Sequence, residues 1–312
     1  MRVADLEEVT TGLRFPEGPI AMPDGSVILV EMFGPRLTRV HPDGTKETVA
    51  EVPGGPNGAA VGPDGAVYVA NNGARFGPVD MGGGMLLPGP TDWDAYIGGR
   101  ISRVDIDTGA VSDLYTEVDG RPLISPNDLV FDDQGGFYFT DHGMTDKSGR
   151  MAHLTGICYA KADGSSIKEI VFPAHEPNGI GLSPDGTILY WAETWTGRVM
   201  RRKIVSPGVV EEPELVDTWQ CLYGLPGFQL LDSLGVDSAG NVCVATLVNS
   251  GITVISPEGE LVDFVACDDV LTTNICFGGP DLRTAYITLS TTGRLLKTQW
   301  PRPGAKLNYL NT

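Results

Sequence analysis

Six oxygen-bearing side chains recur at one spacing in this chain. Glu17, Asn57, Asn127, Asn178, Asp232 and Asn274 each stand eight residues before a turn position: Gly25, Gly65, Gly135, Gly186, Gly240 and Leu282. Carboxylates and amide carbonyls are hard donors, so two acids and four amides converging in space would suit Ca²⁺ or Mg²⁺ and offer little to a soft metal. Two carboxylates balance the ion's charge, and the amides add coordination without excess negative charge. The plain alternative is that Asn and Asp near turns shape the chain through local side-chain-to-backbone bonds. It suits Asn57 and Asn274 as well as a ligand role does. It suits Glu17 and Asp232 less, because Glu has no such habit and Asp232 precedes an apolar run.

The elements that must position these residues follow from the same repeat. A Pro-Asp-Gly-like turn followed by a β-rich run occurs at PDGSVILVE (23–31), PDGAVYVAN (63–71) and PDGTILYWAE (184–193). Degenerate copies occur at 132–141, 237–246 and 279–288. Asp and Gly supply the turn, and the Val, Ile, Tyr and Phe that follow favour a pleated, half-buried strand. Second, offset turns at HPDGT (41–45), DIDTGA (105–110), KADGSS (161–166) and SPEGE (256–260) add a second hairpin per repeat. Six four-stranded units predict an all-β chain, a six-bladed β-propeller in which one position per innermost strand rings a central, metal-binding tunnel. The turn positions are separated by 40, 70, 51, 54 and 42 residues. The long interval contains about 71–99, glycine-rich and too irregular to predict a strand pair, and is read as an inserted loop of the kind that forms lids or binding surfaces. The expected organisation is one domain over 1–312.

Composition agrees. The chain has 312 residues with 41 glycines, 23 prolines and 41% hydrophobic residues, which favours short strands joined by turns around a sizeable core. A formal net charge of −18 repels nucleic-acid backbones and anionic membranes, so neither is an expected partner. The first eleven residues hold three acids and no apolar run, so they read as neither secretory signal nor transit peptide. Five cysteines without CxxC spacing suit reduced thiols, and the expected location is cytoplasmic. Cys243 and Cys276 read as small buried residues of strands.

With FPEGP (15–19), PNDLVFDDQGGFYFTD (126–141), PNGIGLSPDG (177–186), YWAET (190–194) and LDSLGVDSAGN (231–241) in view, the chain resembles the SMP-30/gluconolactonase/luciferin-regenerating-enzyme family. Drp35-like lactonases and diisopropylfluorophosphatase are relatives of that family. The resemblance spans nearly the whole sequence. It implies metal ligands at Glu17, Asn178 and Asp232, with Asn127 as a further ligand or a substrate contact. Gluconolactonases place an Arg two residues before the Asn of the PND motif, where this chain has Ser125. That departure shifts the expected substrate from a sugar lactone toward a less polar lactone or ester.

The expected function is metal-dependent hydrolysis of a small lactone. The cation, Ca²⁺ first with Mg²⁺, Mn²⁺ or Zn²⁺ as alternatives, acts as Lewis acid, and Asp232 acts as catalytic base or nucleophile. Asn127, Ser125, His142 and His175 are candidate substrate contacts. The histidines have a plainer reading as surface or hydrogen-bonded side chains. Two other functions fit the same ring: a phosphotriesterase, and a non-catalytic propeller that uses Ca²⁺ to lock its tunnel.

Overall fold

The computed structural model describes residues 5–214 and 218–311. Six antiparallel sheets form the blades, each a meander running outward from the central axis. Blade one comprises Pro16–Ala21, Val27–Glu31, Arg36–Val40 and Lys46–Glu51; blade two comprises Pro56–Val61, Val67–Asn71, Arg100–Val104 and Val111–Tyr115. Blade three comprises Pro126–Phe131, Gly136–Asp141, Thr155–Lys161 and Ile167–Ala174. Blade four comprises Pro177–Leu182, Ile188–Glu193, Arg198–Ser206 and Cys221–Gly224, with Val209–Val210 added to its third strand. Blade five comprises Leu231–Val236, Val242–Thr246, Gly251–Ile255 and Leu261–Ala266. Blade six takes Thr272–Gly278, Thr284–Leu289 and Arg294–Gln299 from the end of the chain and its outer strand, Glu7–Thr10, from the beginning. The innermost strands touch one another in cyclic order, blade six meeting blade one. The fold is a six-bladed β-propeller.

The six turns that set the sequence spacing share one conformation. Gly25, Gly65, Gly135, Gly186 and Gly240 all have left-handed φ, and so does Leu282 at φ 56 in the degenerate sixth copy. Leu282 takes a conformation in which an ordinary side chain is strained, so the sixth unit keeps the turn geometry without the glycine. Apolar clusters fill the spaces between blades. Tyr68, Leu129, Phe131, Phe137 and Phe139 join blades two and three, and Ile252, Val254, Ile275, Phe277 and Trp300 join blades five and six. Cys243 and Cys276 are buried in such packing and all five cysteines are free.

The stretch expected to be irregular carries a hairpin, Pro78–Gly82 paired with Met85–Pro88. Its glycine tip, 82–84, is left-handed throughout. Leu86 is its anchor, with its N–H donating to the Thr291 carbonyl of blade six at 2.9 Å and its side chain packed among Phe15, Met32 and Phe33. The insertion from blade two therefore crosses blade one and is pinned beside the tunnel mouth. The only helical element among the described residues is a 3-10 turn, Thr218–Gln220, and none is long and apolar enough to cross a membrane.

Candidate metal centre at the tunnel mouth

The six recurrent residues all stand near the start of innermost strands, at the end of the tunnel opposite the Pro-Asp-Gly turns. At each of them the pairing between first and second strands slips by one residue: between Glu17 and Ile20, Pro56 and Gly58, Pro126 and Leu129, Pro177 and Ile180, Leu231 and Leu234, and Thr272 and Asn274. An extra residue bends a strand and re-aims its side chains. Repeated in every blade, it turns this position toward the axis.

Glycines let the blades close in. A Cβ on Gly18 would lie 2.7 Å from the backbone of Asn57 and Ala59. On Gly58 it would lie 2.5 Å from Asp128 Cα, and on Gly179 2.4 Å from Leu234 N. The residue after the ring position is Gly in blades one, two and four, but in blade three it is Asp128. That carboxyl is buried and hydrogen-bonds Ser233 of blade five, so it occupies the room its glycine neighbours leave.

Glu17, Asn57, Asn127, Asn178 and Asn274 are buried and Asp232 is partly exposed. Asn274 Nδ2 donates to Glu17 Oε2 at 3.3 Å, and the Gly18 N–H donates to the same oxygen at 3.3 Å. The Asn274 oxygen accepts from the Ile275 N–H, so Asn274 orients Glu17 rather than offering a free donor atom. Asn178 Nδ2 donates to Thr194 Oγ1 at 3.2 Å and the amide also hydrogen-bonds Asp232. Its Oδ1 is buried without a partner, as is Oδ1 of Asn127.

Burial dominates the electrostatics here. It pushes the Glu17 carboxyl up to about 7 against hydrogen bonds from Thr273, Asn274 and Gly18. Burial, with a smaller contribution from Glu17, pushes Asp128 up to about 8. Asp232 is held well above the ordinary carboxylate range by burial and then by Glu17 and Asp128. Among the described residues, no basic group is a leading influence on any of the three. Among the described residues no trio of His, Cys, Asp or Glu could hold an ion alone, so a cation at this ring needs the amide oxygens. Two unpartnered amide oxygens beside unbalanced carboxylates, all of them hard oxygen donors, fit a hard divalent ion.

The remaining sequence candidates lie around this ring unequally. Ser125 is buried with its Oγ unpartnered, its N–H donating to Asp141 Oδ1 at 2.7 Å. His142 is buried beside Phe76. Burial, then the charge of Arg75, pushes its imidazole down to about 3, against a hydrogen bond to the Pro177 carbonyl; it is a neutral group with an unpartnered Nδ1. His175 is exposed, with its backbone N–H donating to Glu193 Oε1 at 3.1 Å. Four residues with a place at this end were not among the candidates: Asp128, Thr194, Arg75 and Glu176. Arg75 lies over the Phe76 ring at 4.2 Å and donates to the Gly143 carbonyl. Glu176, at left-handed φ 49, keeps a buried unpartnered Oε2. A cavity of about 360 Å³ fills the other end of the tunnel, lined by Ile20, Val61, Leu182, Val236 and Phe277 and covered by 305–308 and Leu310. Glu17, Asn127, Asn178 and Asp232 are not among its lining residues, but Gly18, Asp128 and Asn274 are, so this cavity runs up the tunnel from the turn end to the donor ring.

The family model for the SMP-30/Gluconolactonase/LRE-like region matches residues 15–291. The chain belongs to this family. Among SMP-30/gluconolactonase relatives, the gluconolactonase of Zymomonas mobilis is 26% identical over 310 residues, covering 91% of this chain and 79% of its own length. The lactonase drp35 of Staphylococcus epidermidis is 28% identical over 76% of this chain and 64% of its own length. Of solved structures in the same fold, a gluconolactonase from Xanthomonas campestris superposes with TM-score 0.74 at 21% identity, covering 96% of this chain and 90% of that one. The calcium-binding protein regucalcin from Agrobacterium tumefaciens superposes with TM-score 0.71 at 17% identity, covering 98% of this chain and 100% of the other.

Proposed function

We propose that this chain opens the ring of a lactone by metal-assisted hydrolysis at the tunnel mouth. The observation that carries the reading is the pair of buried, unpartnered amide oxygens, Asn127 Oδ1 and Asn178 Oδ1, in one ring with Glu17 and Asp232. Relatives named gluconolactonase and lactonase support the reaction class. Glu17, Asn127, Asn178 and Asp232 would hold a divalent cation, with Ca²⁺ the best match to neutral amides and two carboxylates. Such an ion would supply Lewis-acid polarisation of the ester carbonyl and stabilise the charge that develops on its oxygen.

The protein's own part is positioning and proton handling. Asn274 and the Gly18 N–H fix the Glu17 carboxylate, while Thr194 fixes the Asn178 amide so that its oxygen faces the ring. Asp232 is the partly exposed acid of the set. It is therefore the one that can meet substrate, taking a proton from the attacking water or attacking the carbonyl carbon itself. His142, held neutral, can hydrogen-bond a substrate but carries no charge to the site. Four protein donors leave open positions on a six- to eight-coordinate ion for water and substrate.

Proton release across a panel of lactones and one phosphotriester tests this, using metal-stripped protein with and without Ca²⁺, Mg²⁺, Mn²⁺ or Zn²⁺. The expected result is metal-dependent lactone turnover that Asp232→Asn lowers by roughly a hundredfold or more. Turnover of the phosphotriester alone, or metal-raised melting with no turnover of any ester, would overturn it.

A further inference from the structure

The loops after the second and fourth strands of each blade emerge at the same end as the donor ring, and two of them present an unusual pair. Trp195, after the second strand of blade four, and Phe228, between blades four and five, are 60% and 65% exposed. Their rings lie 6.4 Å apart at 49°. The platform beneath them is tied together and tied to the ring. Leu225 N–H donates to the Gly197 carbonyl at 2.9 Å, and Leu231 N–H donates to the Thr194 carbonyl at 3.2 Å. Trp195 directly follows Thr194, the residue that holds the Asn178 amide, and Phe228 stands four residues before Asp232. Large aromatics left in water forgo the stabilisation that burial gives such side chains. Here they do so on a hydrogen-bonded mount that runs directly into Leu231–Val236, the strand carrying Asp232, and into Thr194, which holds Asn178.

Polar atoms without partners surround the ring itself, among them Ser125 Oγ, His142 Nδ1 and Glu176 Oε2. The mouth thus has a polar floor and, on one side, an aromatic rim. We propose that Trp195 and Phe228 determine specificity, gripping an apolar alkyl or aromatic substituent while the ester end of the same molecule sits at the donor ring. The substrate class is then a lactone with an apolar substituent, rather than a bare or fully hydroxylated ring. This inference rests on the reading of the mouth as a lactone-hydrolysing site. Continuity of the pair with that site, through Thr194 and Leu231, favours a small molecule over a protein partner.

The test uses γ-lactones with alkyl substituents of increasing length, together with the matching lactams, whose binding is measured by calorimetry without turnover. The full chain, loaded with the metal that supports activity or with Ca²⁺ if none does, is compared with W195A, F228A and the double variant. L261A, on the exposed outer strand of blade five, serves as control. Wild type and L261A should gain about threefold in lactam affinity per methylene over the first few carbons, and the double variant should lose most of that gain. A flat series in wild type, a slope that survives in the double variant, or self-association in sedimentation that W195A and F228A abolish would each overturn the proposal. Graded lactam binding with no lactone turned over would leave the aromatic grip standing and remove the lactonase reading. Turnover without any chain-length dependence would do the reverse.

Discussion

At the residue scale, the clearest stability contributor outside the ring is Glu31 at the end of the second strand of blade one. Its buried carboxylate accepts from Arg36 Nε at 2.8 Å, Arg36 Nη2 at 3.1 Å, Thr38 Oγ1 at 2.7 Å and the Arg14 N–H at 2.7 Å. Burial alone would raise its pKa, but these donors outweigh it and hold the group below its ordinary 4.5. A depressed folded value means the contribution is complete above about 4.5 and disappears as pH falls through the folded value, with a limiting slope of about 1.4 kcal/mol per pH unit. Glu31→Gln should destabilise the protein at neutral pH by roughly 1–3 kcal/mol and flatten that acid limb, as followed by urea unfolding from pH 3 to pH 7. Glu17→Gln is expected to act elsewhere, reducing the rise in melting temperature that added divalent metal produces. The ring positions were legible because the turn glycines give a fixed origin to count from. Asp128 was not, because strand alternation assigns neighbours to opposite faces, whereas the slip between Pro126 and Leu129 leaves two consecutive residues inside. Comparing it with Gly18, Gly58 and Gly179 would have exposed a carboxylate where blades one, two and four have no side chain.

At the element scale, close approach of the innermost strands is what the glycines after the ring residues provide. A methyl at Gly58 or Gly179 would meet backbone atoms at 2.5 Å and 2.4 Å, which cannot rotate aside as a side chain can. Gly58→Ala and Gly179→Ala should each cost about 1–3 kcal/mol or more in thermal or denaturant unfolding. They should also weaken metal binding by spreading the ring. The strands and turns of the blades could be read from sequence because a turn of defined chemistry precedes a short run of β-branched and aromatic residues, buried on both faces in strands such as Val27–Glu31 and Gly136–Asp141. The hairpin in 71–99 could not: all five residues of Pro78–Gly82 are exposed, so they carry no alternation, and one inward residue, Leu86, holds it in place.

At the scale of the whole molecule, the ring is closed by pairing its first strand with its last. Glu7–Thr10 lies along Arg294–Gln299, with Lys297 Nζ 2.9 Å from Glu7 Oε1 and Thr10 Oγ1 donating to the Gly44 carbonyl of blade one. Removing residues 1–11 would bare the edge of Arg294–Gln299 and leave blade six with three strands. An open edge of that kind invites pairing between molecules, so the truncated chain should melt at least roughly 10 °C lower and show concentration-dependent aggregation on light scattering. Six units and their order were legible from the repeat. Which end of the chain completes the sixth blade was not, because EEVT is short and carries no turn signal.

The same closure sets an order of events during synthesis. Glu7–Thr10 leaves the ribosome before any other strand of the propeller, and Arg294–Gln299 leaves after all of them. Earlier blades can form as they emerge, yet the circle stays open until Arg294–Gln299 is out. Through that interval the waiting strand is small, carries two glutamates and buries little even in the finished protein, so it can stay in water without recruiting a wrong neighbour. A premature stop in blade six would leave this strand unpaired and five blades without the pairing that shuts the ring.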